Sequence, residues 1–432
     1  MSLLRLAFTL NPVRVSRAYQ ILLLCLLAMA CTARLPAALP FAQDAYVWQR
    51  DWGAPVQMAI RQHATNFSAL VVLKTEVAWT GRRPSVLQIP LDYALLRQTG
   101  RPVGLALRVA TFPIDSTEAR EPISNLVRLA KLVIREAASN QFHPAELQID
   151  FDSPASKLGA YAKWLEELRP AIAPTPLTIT TLPNWLDSPG FSNLIRQTDG
   201  YVLQVHSWQR PRDFTSPFTL CDPAQARRSV EKAARFKKPF RVALPTYGYV
   251  AAFARSGKFL ALSAEGPDRD WPADILLKEI HAEPSAMASL IRGWAENQPA
   301  NLTGVIWFRL PIPTDRLNWP WATLSAVMGG RVPATSAKIE ARSPQPGLIE
   351  FTLSNTGETE ISELAVAIRW PKARLTAADG LAGFEFVDTG PDTAKLRGRS
   401  LHLKPQMSLT IGWLRLTPPV EVRCEILPAS AF

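Results

Sequence analysis

Two aspartates separated by one residue are the strongest candidates for chemistry in this sequence. They lie in the segment Gln148-Ile-Asp150-Phe-Asp152, and alternation along a β-strand would place Gln148, Asp150 and Asp152 on one face. Repulsion between two carboxylates one pleat apart raises the pKa of one of them, which is what a general acid needs. The alternative is a structural aspartate pair bound to Arg108 or to loop amides.

Aromatic side chains follow several other apolar runs of the chain and stand close to amides and carboxylates. Aromatic faces beside polar groups suit sugar rings, which stack their C–H faces and hydrogen-bond at their rims. We therefore predict a carbohydrate-binding rim, although any single tryptophan could instead fill the core of a loop. The residues predicted to bind substrate are Gln148, Trp185, Gln204, His206, Tyr247, Trp307 and Trp48.

These residues would meet only if the elements that carry them form a ring. Short apolar runs recur through residues 45–328 with helical patterns between them, which favours a parallel sheet. Eight such units predict a closed (β/α)8 barrel, in which functional groups collect at the C-terminal ends of the strands. An open doubly wound sheet is the competing architecture. The predicted strands are Ala45–Gln49, Phe67–Leu73, Val103–Val109, Glu146–Phe151, Leu177–Thr181, Gly200–Val205, Phe240–Pro245 and Leu302–Phe308.

The pattern changes after Gly330. Residues 347–432 contain short runs of alternating apolar and polar residues, separated by turn signals such as Asn355-Thr-Gly and Asp379-Gly. This predicts a C-terminal immunoglobulin-like β-sandwich. The polar segment 331–346, which contains three prolines, is predicted to be the linker between the domains. The sandwich shows no clustered polar site, so we expect it to pack against the barrel.

Several segments of the predicted barrel resemble chitinase-like glycoside hydrolases, the family-eighteen barrels. Ile149-Asp-Phe-Asp-Ser-Pro154 resembles the Ile-Asp-Trp-Glu-Tyr-Pro segment of that group, and Leu244-Pro-Thr-Tyr-Gly-Tyr249 resembles its Leu-Pro-Phe-Tyr-Gly segment. Gly304-Val-Ile-Trp307 resembles its last strand, and Gln204-Val-His206 lies where the group has a Met-x-Tyr-Asp strand end. The whole chain also resembles an uncharacterised family of exported bacterial proteins, a domain of unknown function with such a barrel.

The resemblance implies a role for each matching residue. Asp152, at the end of the fourth strand, would be the acid that protonates the glycosidic oxygen. Asp150 would orient the N-acetyl group of the substrate, which acts as the nucleophile in this group of enzymes. Tyr247 would line the sugar subsite, and Trp307 would form its floor.

The sequence departs from the family pattern at the acid. The family has Glu where this chain has Asp152, which is shorter by one methylene. A proton donor withdrawn by about 1.5 Å can lose orders of magnitude in rate. A barrel that binds sugar without cleaving it is therefore a serious alternative, and so is an acid supplied by Glu76 or Glu279.

The first residues are predicted to be an export signal. A basic region without acids precedes an apolar run that is short for a membrane span. Residues 1–30 are therefore predicted to be a lipoprotein-like signal peptide, which would make Cys31 the lipidated first residue of the mature chain. Ala28-x-Ala30 also suits cleavage by ordinary signal peptidase, so a mature chain without lipid is an alternative. This places the protein in the periplasm or on a membrane of the cell envelope, and an uncleaved N-terminal anchor is the alternative.

Composition excludes several classes of protein. The chain has 432 residues, of which 47% are hydrophobic and 20% charged, so collagen, coiled coils and polytopic membrane proteins are excluded. The formal net charge is +11, but the basic residues are scattered, so no nucleic-acid partner is predicted. The His and Cys residues show no ligand spacing and no glycine-rich phosphate loop occurs, so no metal and no cofactor are predicted.

The sequence thus predicts an exported glycoside-hydrolase-like protein that acts on or binds a polysaccharide, with N-acetylated polysaccharides as one candidate class. The alternative is a catalytically inactive carbohydrate-binding or envelope scaffold lipoprotein. Because Asp152 departs from the family pattern, the sequence leaves open whether the protein is an enzyme.

Overall fold

The computed structural model describes residues 41–80, 83–116, 119–207, 210–264, 271–399 and 401–427. The predicted signal peptide (residues 1–30) and Cys31 lie outside these ranges, so both stay predictions. Within the described ranges, no helix is both long enough and apolar enough to cross a bilayer.

Eight parallel strands form the first domain: β1 (Ala42–Val47), β2 (Leu70–Thr80), β4 (Val103–Val109), β5 (Leu147–Phe151), β6 (Leu177–Thr181), β7 (Gly200–Gln204), β8 (Phe240–Pro245) and β12 (Leu302–Phe308). They pair in the order β1–β2–β4–β5–β6–β7–β8–β12, and β12 pairs in turn with β1, which closes the barrel. Each predicted strand overlaps one of these eight, so the predicted barrel is confirmed and an open sheet is excluded. The apolar runs were informative because strands covered on both faces bury nearly every side chain.

Helices follow most of the barrel strands and cover their outer faces. Their starts are explained by local sequence: the Asp222 carboxylate, for example, accepts hydrogen bonds from the backbone N–H groups of Ala224 and Gln225 and caps the helix that follows. The helices are α1 (Ala54–His63), α2 (Tyr93–Gln98), α3 (Arg120–Ser139), α4 (Leu158–Ile172), α5 (Phe191–Arg196), α6 (Pro223–Ala233), α7 (Pro284–Glu296) and α8 (Trp321–Met328).

Two antiparallel additions to the barrel were not predicted. Strand β3 (Arg83–Gln88) folds back on the end of β2 and forms a hairpin beyond the barrel wall. Strands β9 (Gly248–Phe253), β10 (Phe259–Ser263) and β11 (Leu276–His281) form a three-stranded sheet between β8 and α7. Most residues of β3, β10 and β11 are not buried, so these strands lack the apolar runs that revealed the barrel strands.

A buried ion cluster fills the barrel at the N-terminal ends of its strands. The Arg241 guanidinium donates to Asp44 Oδ2 at 2.9 Å and to the two Glu146 carboxylate oxygens at 2.5 and 2.8 Å. Thr178 Oγ1 donates to Glu146 at 2.5 Å. The bore can hold this glutamate because Gly104 faces it: a Cβ there would lie 2.6 Å from Glu146 Cγ. The next layer towards the C-terminal ends is mostly apolar and contains Tyr46, Val71, Ala106, Val202, Ala243 and Ile306.

The second domain is a sandwich of two four-stranded antiparallel sheets that share one apolar core. This confirms the predicted C-terminal sandwich. One sheet has the order β13 (Ala337–Gln345), β14 (Leu348–Asn355), β19 (Ser408–Thr417) and β16 (Arg374–Gly380). The other has the order β17 (Phe384–Gly390), β18 (Thr393–Gly398), β15 (Leu364–Arg369) and β20 (Arg423–Leu427).

The structure corrects the predicted linker. Most of segment 331–346 is not a linker, because Ala337–Gln345 forms β13, which pairs with β14 along its length. This strand lies at the edge of its sheet and is largely exposed, so its sequence is polar and resembles a connecting segment.

The two domains touch through polar contacts near the last barrel loop. Lys404 Nζ donates to the backbone oxygens of Asp315 and Pro313 at 2.6 and 3.2 Å. Arg331 donates to both carboxylate oxygens of Glu358 at 2.6 and 2.7 Å, and Thr323 Oγ1 donates to the Glu358 backbone oxygen. The sandwich therefore supports the segment that follows β12.

The ion cluster in the barrel yields the first prediction. Replacing Arg241 by Met removes the guanidinium that pairs with Asp44 and Glu146 and leaves these largely buried carboxylates without a cation among the described residues. We expect the free energy of unfolding to fall by about 3–5 kcal/mol. Urea unfolding monitored by tryptophan fluorescence measures it, with Arg228→Met on the exposed face of α6 as the matched control. A loss no larger than that of the control would contradict a stabilising role for the cluster.

Candidate functional site

The C-terminal ends of the barrel strands form a mouth with two unlike halves. Side chains alternate along each strand, so the residues two positions beyond the inward-facing Tyr46, Ala106 and Ile306 also face the bore. The charged half consists of Glu76, Arg108, Asp150 and Asp152. The aromatic half consists of Trp48, His206, Tyr247 and Phe308.

Strand register brings the charged half together. Glu76 on β2 lies beside Arg108 on β4, and Arg108 lies beside Asp150 on β5. The Arg108 guanidinium is 3.9 Å from Glu76 Oε1 and 3.9 Å from Asp150 Oδ2. Thr180 Oγ1 donates to Asp150 Oδ1 at 2.7 Å, and Arg50 Nε donates to Glu76 Oε2 at 2.6 Å. Asp150 is thus held in place by its neighbours.

Asp152 is the exposed carboxyl of this group, and its proton is held unusually tightly. Desolvation by the surrounding protein, followed by the charge of Asp150, raises the pKa of Asp152 to about 6, against the opposing effect of Arg108. Desolvation also raises the pKa of Asp150, and Arg108 and Thr180 oppose that rise. A carboxylic acid that stays protonated up to about pH 6 in an open position can donate a proton to a bound substrate.

Tyr161 lies behind the two aspartates and was not predicted. It is fully buried on α4, and its hydroxyl has no hydrogen-bond partner among the described residues. Desolvation and the charges of Asp150 and Asp152 hold the pKa of Tyr161 well above its usual range. Its ring packs edge-on against Phe151, the residue between the two aspartates, with ring centroids 5.1 Å apart. Its helical position within an apolar stripe carried no signal of that proximity.

The aromatic half surrounds Phe308. The Phe308 ring centroid lies 5.4 Å from Trp48, 5.5 Å from Tyr247 and 5.8 Å from His206. Phe308 and Trp48 are partly exposed, so they present apolar ring surface to the mouth. Such a surface is suited to the C–H face of a sugar ring.

His206 is a neutral, buried group at the edge of this surface. Burial lowers the pKa of His206 to about 3. His206 Nδ1 and the Tyr247 hydroxyl are 3.1 Å apart, and the Tyr247 hydroxyl is 3.1 Å from that of Tyr249. His206 Nε2 has no hydrogen-bond partner among the described residues. A buried polar atom of this kind gains a hydrogen bond when a ligand or water reaches it.

Gln148 and Gln204 support the mouth rather than line its open surface. Gln148 is fully buried one layer below Asp150, and its Nε2 donates to the Tyr46 hydroxyl at 2.5 Å. Gln204 Nε2 donates to the backbone oxygen of His206 at 3.2 Å and so braces that residue.

The structure corrects the expectation that Trp307 floors the site. Ile306 and Phe308 face the bore, so Trp307 between them faces outward. It is fully buried, and its Nε1 donates to Gln43 Oε1 at 3.0 Å on the side covered by α8. Phe308 occupies the inward position instead, and alternation along Gly304–Phe308 was the signal that could have identified it.

Trp185 is also absent from the open surface. It lies in a 3₁₀ helix (Pro183–Asp187) after β6, is fully buried, and packs edge-on against Tyr161 with ring centroids 6.3 Å apart. It therefore cannot stack on a sugar, and it belongs to the loop core instead. Of the two other candidate acids, Glu76 belongs to the charged half, whereas Glu279 pairs with His281 on β11 at 3.0 Å.

A cavity of about 230 Å³ opens at the other end of the barrel, beside Glu146, Tyr201 and Arg241. Its charged groups already satisfy one another in the ion cluster, so they are not free to react. The described residues contain no group of three or more His, Cys, Asp or Glu side chains that could hold a metal ion. The mouth at the C-terminal ends of the strands is therefore the candidate functional site.

The family described as "Domain of unknown function (DUF3142)" matches residues 99–313. The match runs from the residues before β4 to those after β12, so it includes Arg108, Asp150, Asp152 and most of the aromatic half. The first two barrel strands and the sandwich lie outside it. No curated protein matches the sequence.

Solved structures with a similar fold include a chitinase from Chromobacterium violaceum ATCC 12472. Its sequence identity is 14% and its TM-score is 0.47, and the match covers 67% of this chain and 98% of that chain. Another is the spore cortex-lytic enzyme SleL of Bacillus megaterium QM B1551, with 12% identity and a TM-score of 0.48 over 68% and 74% of the two chains. A chitinase from Bacteroides thetaiotaomicron has 13% identity and a TM-score of 0.44 over 62% and 89%. With identities of 12–14% and TM-scores below 0.5, these structures do not indicate the function of this chain.

The raised pKa of Asp152 yields the second prediction, which concerns stability. The folded protein binds this proton more tightly than the unfolded chain, in which the pKa is about 3.9. The contribution of Asp152 to stability is therefore full below about pH 4 and is lost as the pH rises through about 6. Asp152→Asn should raise the Tm at about pH 8 and leave it nearly unchanged near pH 4.

Thermal unfolding across this pH range, followed by circular dichroism, measures the difference. Asp274→Asn is the matched control, because Asp274 is exposed and has no hydrogen bond or ion pair among the described residues. An Asp152→Asn gain that is the same at both ends of the pH range would show that carboxyl repulsion is not its cause.

Proposed function

We propose that this protein hydrolyses glycosidic bonds in a polysaccharide, with Asp152 as the proton donor. The observation that carries the proposal is an exposed carboxyl at the mouth of the barrel, beside a second carboxylate, with its pKa raised to about 6. A general acid works best when its pKa lies near the working pH. The C-terminal mouth is also where (β/α)8 enzymes place their active sites.

Asp150 is suited to hold the substrate rather than to donate the proton. It is less exposed than Asp152, and Thr180 Oγ1 donates a hydrogen bond to its carboxylate, while the Arg108 guanidinium lies 3.9 Å away. In the proposed reaction, the carbonyl oxygen of a substrate N-acetyl group attacks the anomeric carbon while Asp152 protonates the departing oxygen. The Asp150 carboxylate accepts a hydrogen bond from the N–H of that group. Water then opens the cyclic intermediate, and the Asp152 carboxylate takes the proton of this water.

The aromatic half would bind the sugar on which this reaction takes place. Trp48 and Phe308 supply partly exposed apolar surface, and the buried His206 and Tyr247 rings pack behind Phe308. The charged half lies across the mouth from this surface. A sugar ring stacked on the aromatic half would thus present its polar rim to Asp150 and Asp152.

Binding without cleavage is the second candidate function. It is favoured by the identity of the acid, because an aspartate reaches less far than the glutamate of the barrels that this sequence resembles. It is also favoured by Arg108, which lies 3.9 Å from Asp150 and lowers the pKa of both aspartates. In this case the mouth would recognise a glycan that it leaves intact.

The third prediction is hydrolysis that depends on Asp152. Purified protein should release reducing ends from N-acetylated polysaccharides, with a rate that falls as the pH rises above about 6, because Asp152 then loses its proton. Asp152→Asn should lower the rate by at least about 100-fold, and Phe308→Ala should raise KM. Asp274→Asn serves as the control. Turnover that is unaffected by Asp152→Asn would exclude this residue as the donor.

Asp152→Glu separates the two candidate functions in the same assay. If the short side chain limits proton transfer, the longer acid should increase turnover, because Asp152 is exposed and glutamate reaches one methylene further. Glycan binding with no release of reducing ends by either the original protein or Asp152→Glu would favour the binding function.

We further propose that the chain is exported and anchored through Cys31. The support is the sequence of residues 1–31, in which a basic region and a short apolar run precede a cysteine. Expression in bacteria with labelled palmitate should label the chain, and Cys31→Ser should remove the label, since only a cysteine carries the thioether-linked lipid. Equal labelling of both chains, or a precursor of unchanged mass, would contradict this fourth prediction.

A further inference from the structure

Arg108 is a charged group of the mouth whose hydrogen-bond donors are not used by its described neighbours. Its guanidinium carries five N–H donors, and none of them forms a hydrogen bond within the described residues. Its two carboxylate neighbours, Glu76 and Asp150, are both 3.9 Å away, beyond hydrogen-bonding distance. The side chain is half exposed, at 50% of its full surface.

Other arginines of this protein show what a structural pair looks like here. Arg241 donates to both Glu146 oxygens at 2.5 and 2.8 Å, and Arg331 donates to both Glu358 oxygens at 2.6 and 2.7 Å. Arg331 is 58% exposed, so exposure does not prevent a close pair. Arg108 has two carboxylates 3.9 Å away and donates a hydrogen bond to neither of them.

The neighbouring carboxylates are held by other groups. Arg50 donates to Glu76 at 2.6 Å, and Thr180 donates to Asp150 at 2.7 Å. Arg108 therefore contributes positive charge to the pair while its donors stay available. They lie at the mouth, on the strand beside the one that carries Asp150 and leads to Asp152.

We propose that Arg108 binds a carboxylate of the glycan, so that the preferred substrate is an acidic polysaccharide. A guanidinium fits a carboxylate with two parallel hydrogen bonds, which a single sugar hydroxyl does not offer. This inference rests on the proposed function in placing a glycan at the mouth, and it adds the chemical class of that glycan. The carboxylate can belong to a uronic acid or to a lactyl ether on an N-acetylated sugar.

The test compares each acidic glycan with its own neutral counterpart. One probe is a tetrasaccharide that alternates N-acetylglucosamine with glucuronic acid, and the other alternates N-acetylglucosamine with its 3-O-lactyl ether. Chemical reduction of the carboxylates to alcohols gives the neutral form of each probe. Binding is measured by calorimetry with the Asp152→Asn variant, which keeps the probes intact.

At least one acidic probe should bind about 10-fold to 100-fold more tightly than its reduced form, as expected for hydrogen bonds to a charged group. The probe that shows the preference tells whether the carboxylate belongs to a uronic acid or to a lactyl ether. Arg108→Gln should remove the preference, with a larger loss of affinity for the acidic form than for the reduced form, whereas Arg228→Gln should keep it. Equal affinity for acidic and reduced forms of both probes, or an equal loss for both forms in Arg108→Gln, would overturn the inference.

Hydrolysis by the original protein is measured separately on the same probes. A carboxylate preference that depends on Arg108, without any turnover, would defeat the proposed hydrolase and keep the inference. Turnover of neutral and acidic probes at equal rates and affinities would keep the hydrolase and defeat the inference.

Discussion

Closure of the parallel sheet is the constraint on which the rest of the structure depends. Once β12 pairs with β1, every strand must alternate between the bore and the helical layer in step with its neighbours. That alternation puts Arg108 and Asp150 side by side and turns Phe308 inward. It also sends Trp307, one residue earlier, to the outer face. The geometry of the closed barrel thus decides, position by position, which side chains line the mouth.

The bore is polar at its two ends and apolar between them, and the two polar ends differ in kind. At the N-terminal end, Arg241 closes on Asp44 and Glu146 at hydrogen-bonding distance, which satisfies these buried charges. At the C-terminal end, desolvation and mutual repulsion leave Asp152 with a raised pKa, and Arg108 stands beside the pair without closing on it. Satisfied charges stabilise a fold, whereas incompletely satisfied charges are available to a ligand.

Strand β3, the sheet that contains β9 and the sandwich all lie next to segments that form this mouth. Strand β3 extends the wall next to Glu76, and the sheet that contains β9 begins directly after Tyr247. The sandwich holds the segment after β12 through Lys404, and Asp315 in that segment also accepts from Arg309, the residue that follows Phe308. Among the described residues of these parts, none supplies a carboxyl to the charged half.

The sequence by itself determined the eight barrel strands, the sandwich and the aspartate pair. Buried parallel strands are almost continuously apolar, and two carboxylates at the end of such a run stand out locally. The exposed strands β3, β10, β11 and β13 carry no such signal, so they were missed or taken for connections. Only the tertiary structure decided that Trp307 and Trp185 are buried, that Phe308 faces the bore and that no described residue accepts a hydrogen bond from Arg108. Facing, burial and pKa depend on neighbours supplied by distant strands, and no local pattern records which neighbours those are.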